Sequence, residues 1–405
     1  MTDMAHGGEA LGRFEGQVVF VPYAIPGELV RAEILERRRH FARARLLEVL
    51  QPSPHRVEPP CPYFGHCGGC HWQHIKYSAQ LEYKAAIVRN QLRRLGGLED
   101  PPVESPLGTI PPWGYRNHAQ FTVSQDGFLG FLAAFSHQTV PIARCLILDE
   151  DLNDLYSSLD IETAGVRRLS LRAGINTGEL MLVLEMEGDE PPELELDFPI
   201  SVTMLTADGQ VAALVGNTYF HEAVLGRRFR VSANSFFQVN TIGAEALVEI
   251  VSSYLEPIGG EVLLDAYCGV GTFGLSLAER VGEVIGIESH PAAIADAEAN
   301  AGELENVTLI EGAVEDVLPE LEEQVDLAVL DPPRAGVALQ VIETLAAIGP
   351  TRIAYVSCDP ATLARDVRRL SERDYQLVQV QPLDMFPQTY HIECVALLMR
   401  ASPPR

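Results

Sequence analysis

Apolar and polar positions fall into three regimes along the 405-residue chain. From residue 10 to 50 they alternate with a period near two. Residues 17–23, 28–36 and 41–50 read as strands, with Pro26-Gly27 as a turn and Arg37-Arg38-Arg39 between the last two. This pattern predicts a small β-barrel of the oligonucleotide-binding kind, with the arginine turn projecting from it; a solvated charged hairpin accounts for that turn equally well. Prolines at 52, 54, 59 and 60 mark a linker. Next comes an amphipathic helix over 78–95, carrying Leu81, Ala85, Val88 and Leu92 on one side and ended by Gly96-Gly97. Strand signals at 119–123, 128–131, 167–172, 179–185 and 201–206 predict a central α+β domain. After residue 237 strands and helices alternate regularly. Strands at 261–265, 283–287, 307–310, 325–330, 353–356, 375–381 and 391–399 predict a doubly wound, Rossmann-like α/β domain. The expected division is 1–52, 53–236 and 237–405, with helix 78–95 packing on the last unit.

Composition narrows the setting. No apolar run approaches the roughly 20 residues a membrane span needs, and the first residues lack the basic-then-apolar pattern of a secretory leader. Seven cysteines, an odd number, suit a reducing compartment, so a cytoplasmic monomer with no membrane association is expected. The net charge of −26 argues against nucleic acid at face value, but it is unevenly spread. Residues 281–330 hold thirteen acidic residues and no Lys or Arg, whereas arginines cluster at 37–45, 93–94, 167–168 and 227–230. Local patches therefore decide the question, and guanidinium suits phosphate and stacked bases.

The cysteines carry the first chemical signal. Cys61, Cys67 and Cys70 are spaced C-x5-C-x2-C around Gly68-Gly69. Zinc would favour paired knuckles, with His66, His71 or His74 completing the set. A four-iron cluster needs four thiolates. Cys145 is the only cysteine outside both this knot and the last domain, which favours iron–sulfur over zinc.

The second signal lies in the last domain. Asp265-Ala-Tyr-Cys-Gly-Val-Gly271 follows its first strand, and Glu288 ends the second. A glycine turn with an acidic residue for ribose hydroxyls, but without a third glycine for a pyrophosphate, suits S-adenosylmethionine better than a dinucleotide. Asp331-Pro-Pro-Arg334 ends the fourth strand, and its Arg stands where amino-group methyltransferases carry an aromatic. Cys358 ends the fifth strand, just before a helix starting near residue 361, whose N-terminus is expected to lower the thiol pKa. A small buried hydrophobe is the plain alternative. Because the last strand of such sheets runs antiparallel, Glu393 at its start is placed on the same rim as Cys358 and Asp331. Its neighbours Ile392 and Cys394 predict a raised pKa. A nucleophile, a rigid carboxylate and a base beside a methyl donor suit methylation of a pyrimidine carbon: the thiolate adds at C6, C5 takes the methyl, and the base removes the C5 proton.

Taken together, the Cys61–Cys70 knot with Trp72-Gln73-His74, Phe237-Gln-Val-Asn240, Asp265–Phe273, Asp331–Arg334, Ser357–Asp366 and His391-x-Glu393-Cys394 resemble the RNA (uracil-C5) methyltransferases. The closest resemblance is to the iron–sulfur type that makes 5-methyluridine in bacterial 23S ribosomal RNA. It implies an N-terminal TRAM domain that binds RNA and a [4Fe-4S] cluster on Cys61, Cys67, Cys70 and Cys145. It implies S-adenosyl-L-methionine contacts at Gln238, Tyr267, Glu288 and Asp331, and at Thr272, where relatives often have Asn. It implies Cys358 as nucleophile and Glu393 as base, acting on a uridine flipped out of its stem-loop. A related form uses the T-loop of transfer RNA, and a non-catalytic iron–sulfur RNA-binding protein is the alternative of another class. The TRAM pattern starts almost at Met1, so its first strand is expected to be truncated.

Overall fold

The computed structural model describes residues 1–195 and 199–401. The N-terminal unit is a five-stranded sheet of β1 (Asp3–Met4), β2 (Ala10–Phe14), β3 (Gln17–Val21), β4 (Leu29–Arg37) and β5 (Phe41–Gln51), in the order β1-β2-β3-β5-β4. The first strand was expected to be truncated, and β1 is only two residues long. Asp3 and Met4 pair with Leu11 and Ala10, and the Gly27 N–H donates to the Met1 carbonyl (2.9 Å), bringing the first residue to the start of β4. The inward positions are small: Ala10, Val19, Val21, Ala24, Ala42 and Ala44 form the core. Arg37, Arg38 and Arg39 are exposed at the β4–β5 turn, though Arg38 pairs with Glu36.

The linker is anchored rather than loose. Buried Glu28 accepts from the Ile25 and Ser53 N–H groups and from the Arg56 guanidinium. Helix α1 (Tyr77–Arg94) follows. Its apolar face, including Ile87, Val88 and Leu92, shares one core with Leu363, Val367 and Leu370 of the last domain.

The central domain is a seven-stranded sheet of β6 (His118–Val123), β7 (Leu129–Leu132), β8 (Thr139–Pro141), β10 (Val166–Gly174), β11 (Glu179–Met186), β13 (Ile200–Leu205) and β14 (Val211–Val215). Helix α2 (Glu150–Ser158) packs on it through Leu152 and Leu155, and β9 (Asp160–Ile161) pairs with β12 (Leu194–Glu195). A hairpin of β15 (Tyr219–Val224) and β16 (Arg227–Ser232) then leads into the last domain, its Phe220, Val224, Phe229 and Val231 packing in the core that holds α3 (Thr241–Leu255).

The last domain contains β17 (Val262–Ala266), α4 (Thr272–Leu277), β18 (Glu283–Glu288), α5 (Pro291–Ala301), β19 (Val307–Glu311), α6 (Val314–Val317), β20 (Leu327–Leu330), α7 (Leu339–Ile348), β21 (Arg352–Ser357), α8 (Pro360–Ser371), β22 (Tyr375–Leu383) and β23 (Glu393–Arg400). The strand order is β19-β18-β17-β20-β21-β23-β22, with β23 antiparallel to both neighbours. The order reverses beside β17. That is where such sheets open a crevice for a ligand at the carboxyl ends of their strands. No helix among the described residues is long and apolar enough to cross a membrane.

Candidate active site

Sheet register assembles the reacting groups. Leu330 of β20 pairs with Tyr355 of β21, so Asp331 and Cys358 leave the same edge. On the other side Ser357 pairs with Cys394, so continuing the antiparallel register by one residue sets Cys358 opposite Glu393. Pro332 and Pro333 fix the backbone after Asp331 and lead to exposed Arg334, whose guanidinium lies 3.5 Å from Nδ1 of His391. As a packing filler Cys358 would be fully enclosed. It is only partly buried, and it faces Glu393, Arg334, Asp331 and Asp359 at electrostatic range.

One sequence expectation is reversed. The thiol of Cys358 is pushed up to about 11, by burial first and then by the Glu393 carboxylate, with Arg334 opposing. The α8 N-terminus does not help the sulfur because Asp359 already uses it, accepting from the N–H groups of Ala361 (2.8 Å) and Thr362 (3.1 Å). Glu393 behaves as expected. Burial, then the Asp331 charge, raises it well above the ordinary carboxylate range, while Arg334 pulls the other way.

The crevice beside β17 is acidic. Tyr267 and Gly269 adopt left-handed backbone (φ 65° and 57°), turning the chain sharply after β17. A β-carbon on Gly269 would meet nothing within 4 Å, so that face is open. A β-carbon on Gly271 would lie 2.5 Å from a Leu275 methyl, which seats the turn on α4. Glu288 accepts from the Gly269 (3.0 Å) and His290 (2.7 Å) N–H groups, which fixes its carboxylate at the mouth. Thr272 is buried at the start of α4, and Gln238 is buried just before α3, its carbonyl accepting from Asn117 Nδ2 (3.0 Å). The Tyr267 hydroxyl donates to Glu315 (3.4 Å). Burial pushes both Asp331 and Asp265 up to about 7. Asp265 accepts from the Gly274 N–H at 2.6 Å through Oδ2, but its Oδ1 is buried without a partner. A ligand with a cationic centre and ribose hydroxyls matches this acidic, partly unsatisfied lining, and the residues therefore fit S-adenosylmethionine.

The four cysteines of the expected cluster, Cys61, Cys67, Cys70 and Cys145, are free and line one cavity of 930 Å³. The cavity runs between the barrel loop at His6–Glu9 and the central sheet. Of the three histidines His71 lines it, whereas His66 and His74 do not; the His74 ring instead packs against Tyr23 and Phe64. Among the described residues no three His, Cys, Asp or Glu side chains meet closely enough to hold a single metal ion. Yet the thiols are near enough to interact. Cys70 is pushed up to about 12 by burial, with charges on Cys145, Cys67 and Cys61 acting in the same direction. Four thiols in one cavity are the donor set that a four-iron cluster needs.

Comparison with known proteins places this arrangement. The family profile for tRNA (Uracil-5-)-methyltransferase matches residues 214–401, and the TRAM domain profile matches residues 2–47. An uncharacterized RNA methyltransferase of Streptomyces avermitilis is 39% identical over 98% of this chain and 97% of its own length. Another from Gloeobacter violaceus is 36% identical over 99% and 96%. The chain belongs to the family of S-adenosylmethionine-dependent RNA uracil-5-methyltransferases with a TRAM domain. Among solved structures, the tRNA (uracil-54, C5)-methyltransferase of Pyrococcus abyssi, in complex with S-adenosyl-L-homocysteine, superposes with a TM-score of 0.78 at 29% identity, covering 98% of this chain and 99% of that one.

Several features of this methyltransferase escaped the sequence reading. Asp265 was visible only as a motif residue, and its unpartnered oxygen depends on which atom Gly274 engages. Lys84, on the helix over 78–95, forms a buried ion pair with Asp384 (2.6 Å), and nothing local distinguishes it from a surface lysine. His391 lies between Arg334, Tyr390 and Phe386. Only the short His391-x-Glu393 spacing pointed toward it.

Proposed function

We propose that this methyltransferase makes 5-methyluridine in 23S ribosomal RNA through a covalent Cys358–C6 adduct. The observation that carries the reading is the convergence of Cys358, Glu393 and Asp331 on one rim of the acidic crevice. Bound S-adenosylmethionine supplies an electrophilic methyl on a sulfonium; Gln238, Tyr267, Thr272, Glu288 and Asp331 are the residues proposed to hold it. The thiol of Cys358, only partly buried, loses its proton to solvent and its sulfur bonds to uracil C6, pushing the C5–C6 π electrons toward C5 and O4. The electron pair at C5 bonds to the methyl carbon as its bond to the sulfonium breaks, and the neutral thioether S-adenosylhomocysteine leaves. The Glu393 carboxylate accepts the C5 proton, the electrons of that C–H bond restore the C5–C6 double bond, and the thiolate leaves.

The protonation of the two groups is coupled. A neutral Glu393 removes the largest charge opposing the thiolate. Once the sulfur is bonded to C6 it carries no charge, and Glu393 can ionise beside it at less cost. A carboxylate shielded from water is a stronger base than a solvated one, which suits removal of a carbon-bound proton.

Cys61, Cys67, Cys70 and Cys145 are proposed to hold a [4Fe-4S] cluster. Their shared cavity supports this, and with it the ribosomal substrate, because the resemblance links the cluster to that branch. The second reading, transfer-RNA T-loop uridine, is favoured by the Pyrococcus abyssi relative. We place the enzyme in the cytoplasm, as a monomer. Mapping 5-methyluridine in both RNAs from a deletion strain tests the reading: loss from 23S RNA is expected. Loss from transfer RNA alone selects the second reading, and no loss from either overturns both.

A further inference from the structure

Glu393 is delivered by the segment Asp384–Ile392, which joins β22 to β23 at the crevice rim. This segment belongs to the last domain, yet residues 71–115, some 270 to 320 positions earlier, hold most of it. The Thr109 hydroxyl donates to the Asp384 carbonyl (2.7 Å), Lys84 Nζ to the Phe386 carbonyl (3.1 Å), and the Tyr115 hydroxyl to the Pro387 carbonyl (3.0 Å). Gln388 is the centre of this clamp. Its carbonyl accepts from the N–H groups of both His71 (3.0 Å) and Trp72 (2.9 Å), the two residues that follow the cysteine knot. Its own N–H donates to Gln80 Oε1 (3.0 Å), and its side-chain oxygen accepts from Gln80 Nε2 (2.9 Å). Gln80 Nε2 also donates to the carbonyls of Trp72 (3.1 Å) and Ile75 (2.9 Å), so one amide joins the knot, α1 and the loop.

Gln388 has φ 68°, a conformation that is unfavourable for a side-chain-bearing residue and persists only where its surroundings impose it. Gln80 and Gln388 are both buried, so every hydrogen bond lost there leaves a dry polar group. From Gln388 the chain runs through Thr389, whose hydroxyl is tied to Phe386 and His391, straight to Ile392 and Glu393.

We propose that Gln80 and Gln388 are positioning residues for Glu393: the segment following the cysteine knot sets the place of the catalytic base through the backbone of Gln388. The proposal rests on the adduct mechanism above and concerns one step of it. Misplaced by the order of 1 Å, Glu393 removes the C5 proton slowly, while attack by Cys358, on a different strand, is little affected.

The test uses the full chain with a ribosomal RNA stem-loop, a transfer-RNA stem-loop and S-adenosylmethionine, resolving adduct formation from breakdown on denaturing gels. Glu393→Gln is the reference and should trap the methylated adduct. Gln80→Leu, close in size but without polar atoms, should form adduct within about threefold of the wild-type rate. It should break the adduct down about 10- to 100-fold more slowly, with cofactor affinity unchanged. Parallel loss of formation, breakdown and cofactor binding would indicate a general folding role and overturn the proposal, as would wild-type breakdown. If Gln80→Leu does not fold, Tyr115→Phe decides: it removes one hydroxyl from the same clamp, and breakdown alone should slow, by about threefold. Unchanged breakdown there overturns the proposal. Failure of Glu393→Gln to trap any adduct removes the mechanism itself, whereas trapping by Glu393→Gln with wild-type kinetics in Gln80→Leu removes only the positioning role.

Discussion

The raised thiol of Cys358 makes the pH dependence of methyl transfer a direct probe of the site. At about 11, the thiol is ionised to only about one part in ten thousand at pH 7, since each unit below the pKa costs a factor of ten. If the thiolate attacks, the single-turnover rate at saturating RNA and cofactor should rise about tenfold per pH unit between pH 6 and 9, without a plateau. Glu393 does not add to this slope at the attack step, because its ionised form opposes the thiolate. Among the groups acting on the sulfur, Arg334 is the cation that favours the thiolate. Arg334→Gln should therefore raise the thiol pKa further and lower the rate at every pH. Arg334 is solvent-exposed, so screening reduces its effect to the low end of the one to three units an adjacent charge can produce; about tenfold is expected. Saturating RNA separates this from any loss of phosphate contact, which would appear in KM. A flat profile from pH 6 to 9 in single turnover, or an Arg334→Gln rate equal to wild type, would refute the reasoning.

Three further outcomes are expected. Lys84→Met leaves Asp384 charged in a dry site and should destabilise the protein by about 3–5 kcal/mol in urea unfolding, with most of that recovered in the Lys84→Met, Asp384→Asn double variant; additive losses would show that the pair is not coupled. Asp265→Asn should weaken S-adenosylmethionine binding about 10- to 100-fold by calorimetry, and wild-type affinity should improve as pH rises through about 7, where Asp265 ionises; affinity independent of both counts against its role. Protein purified without oxygen should be brown and contain about four irons per chain, whereas a colourless, zinc-loaded protein sinks the cluster reading.

The parts legible in the sequence are those whose physics is local or periodic. The seven strands of the last sheet showed as apolar runs, and the antiparallel last strand was enough to put Glu393 beside Cys358. The raised pKa of Glu393 followed from its apolar neighbours alone. The barrel strands β1 and β2 were missed because one is two residues long and the pair is joined by His6-Gly7-Gly8, which reads as a loop. The thiol shift was read with the wrong sign because it depends first on burial and then on carboxylates from other strands, and because Asp359 occupies the helix end first. Lys84 and Gln80 sit on the buried side of α1, where sequence periodicity leads one to expect apolar residues. Their partners Asp384 and Gln388 lie some 300 positions away, so no window along the chain could pair them.

The same bridge that holds the segment before Glu393 also holds the barrel. The Gly8 carbonyl accepts from the indole N–H of Trp72 (3.0 Å), the residue whose backbone holds Gln388. A β-carbon on Gly8 would come within 2.6 Å of Tyr390, three residues before Glu393, and Gly8 has φ 85°, so both space and conformation require glycine. His6 on the same loop reaches to 3.8 Å from the carboxylate of Asp359, the residue after Cys358. The N-terminal barrel is thus docked on the two segments that carry Cys358 and Glu393. An RNA held by the barrel would meet the reacting rim at a fixed distance and orientation, and that pre-organisation removes the entropy of bringing substrate and thiol together. Trp72, fully buried between the barrel loop and the catalytic loop, is the side chain through which the two are registered.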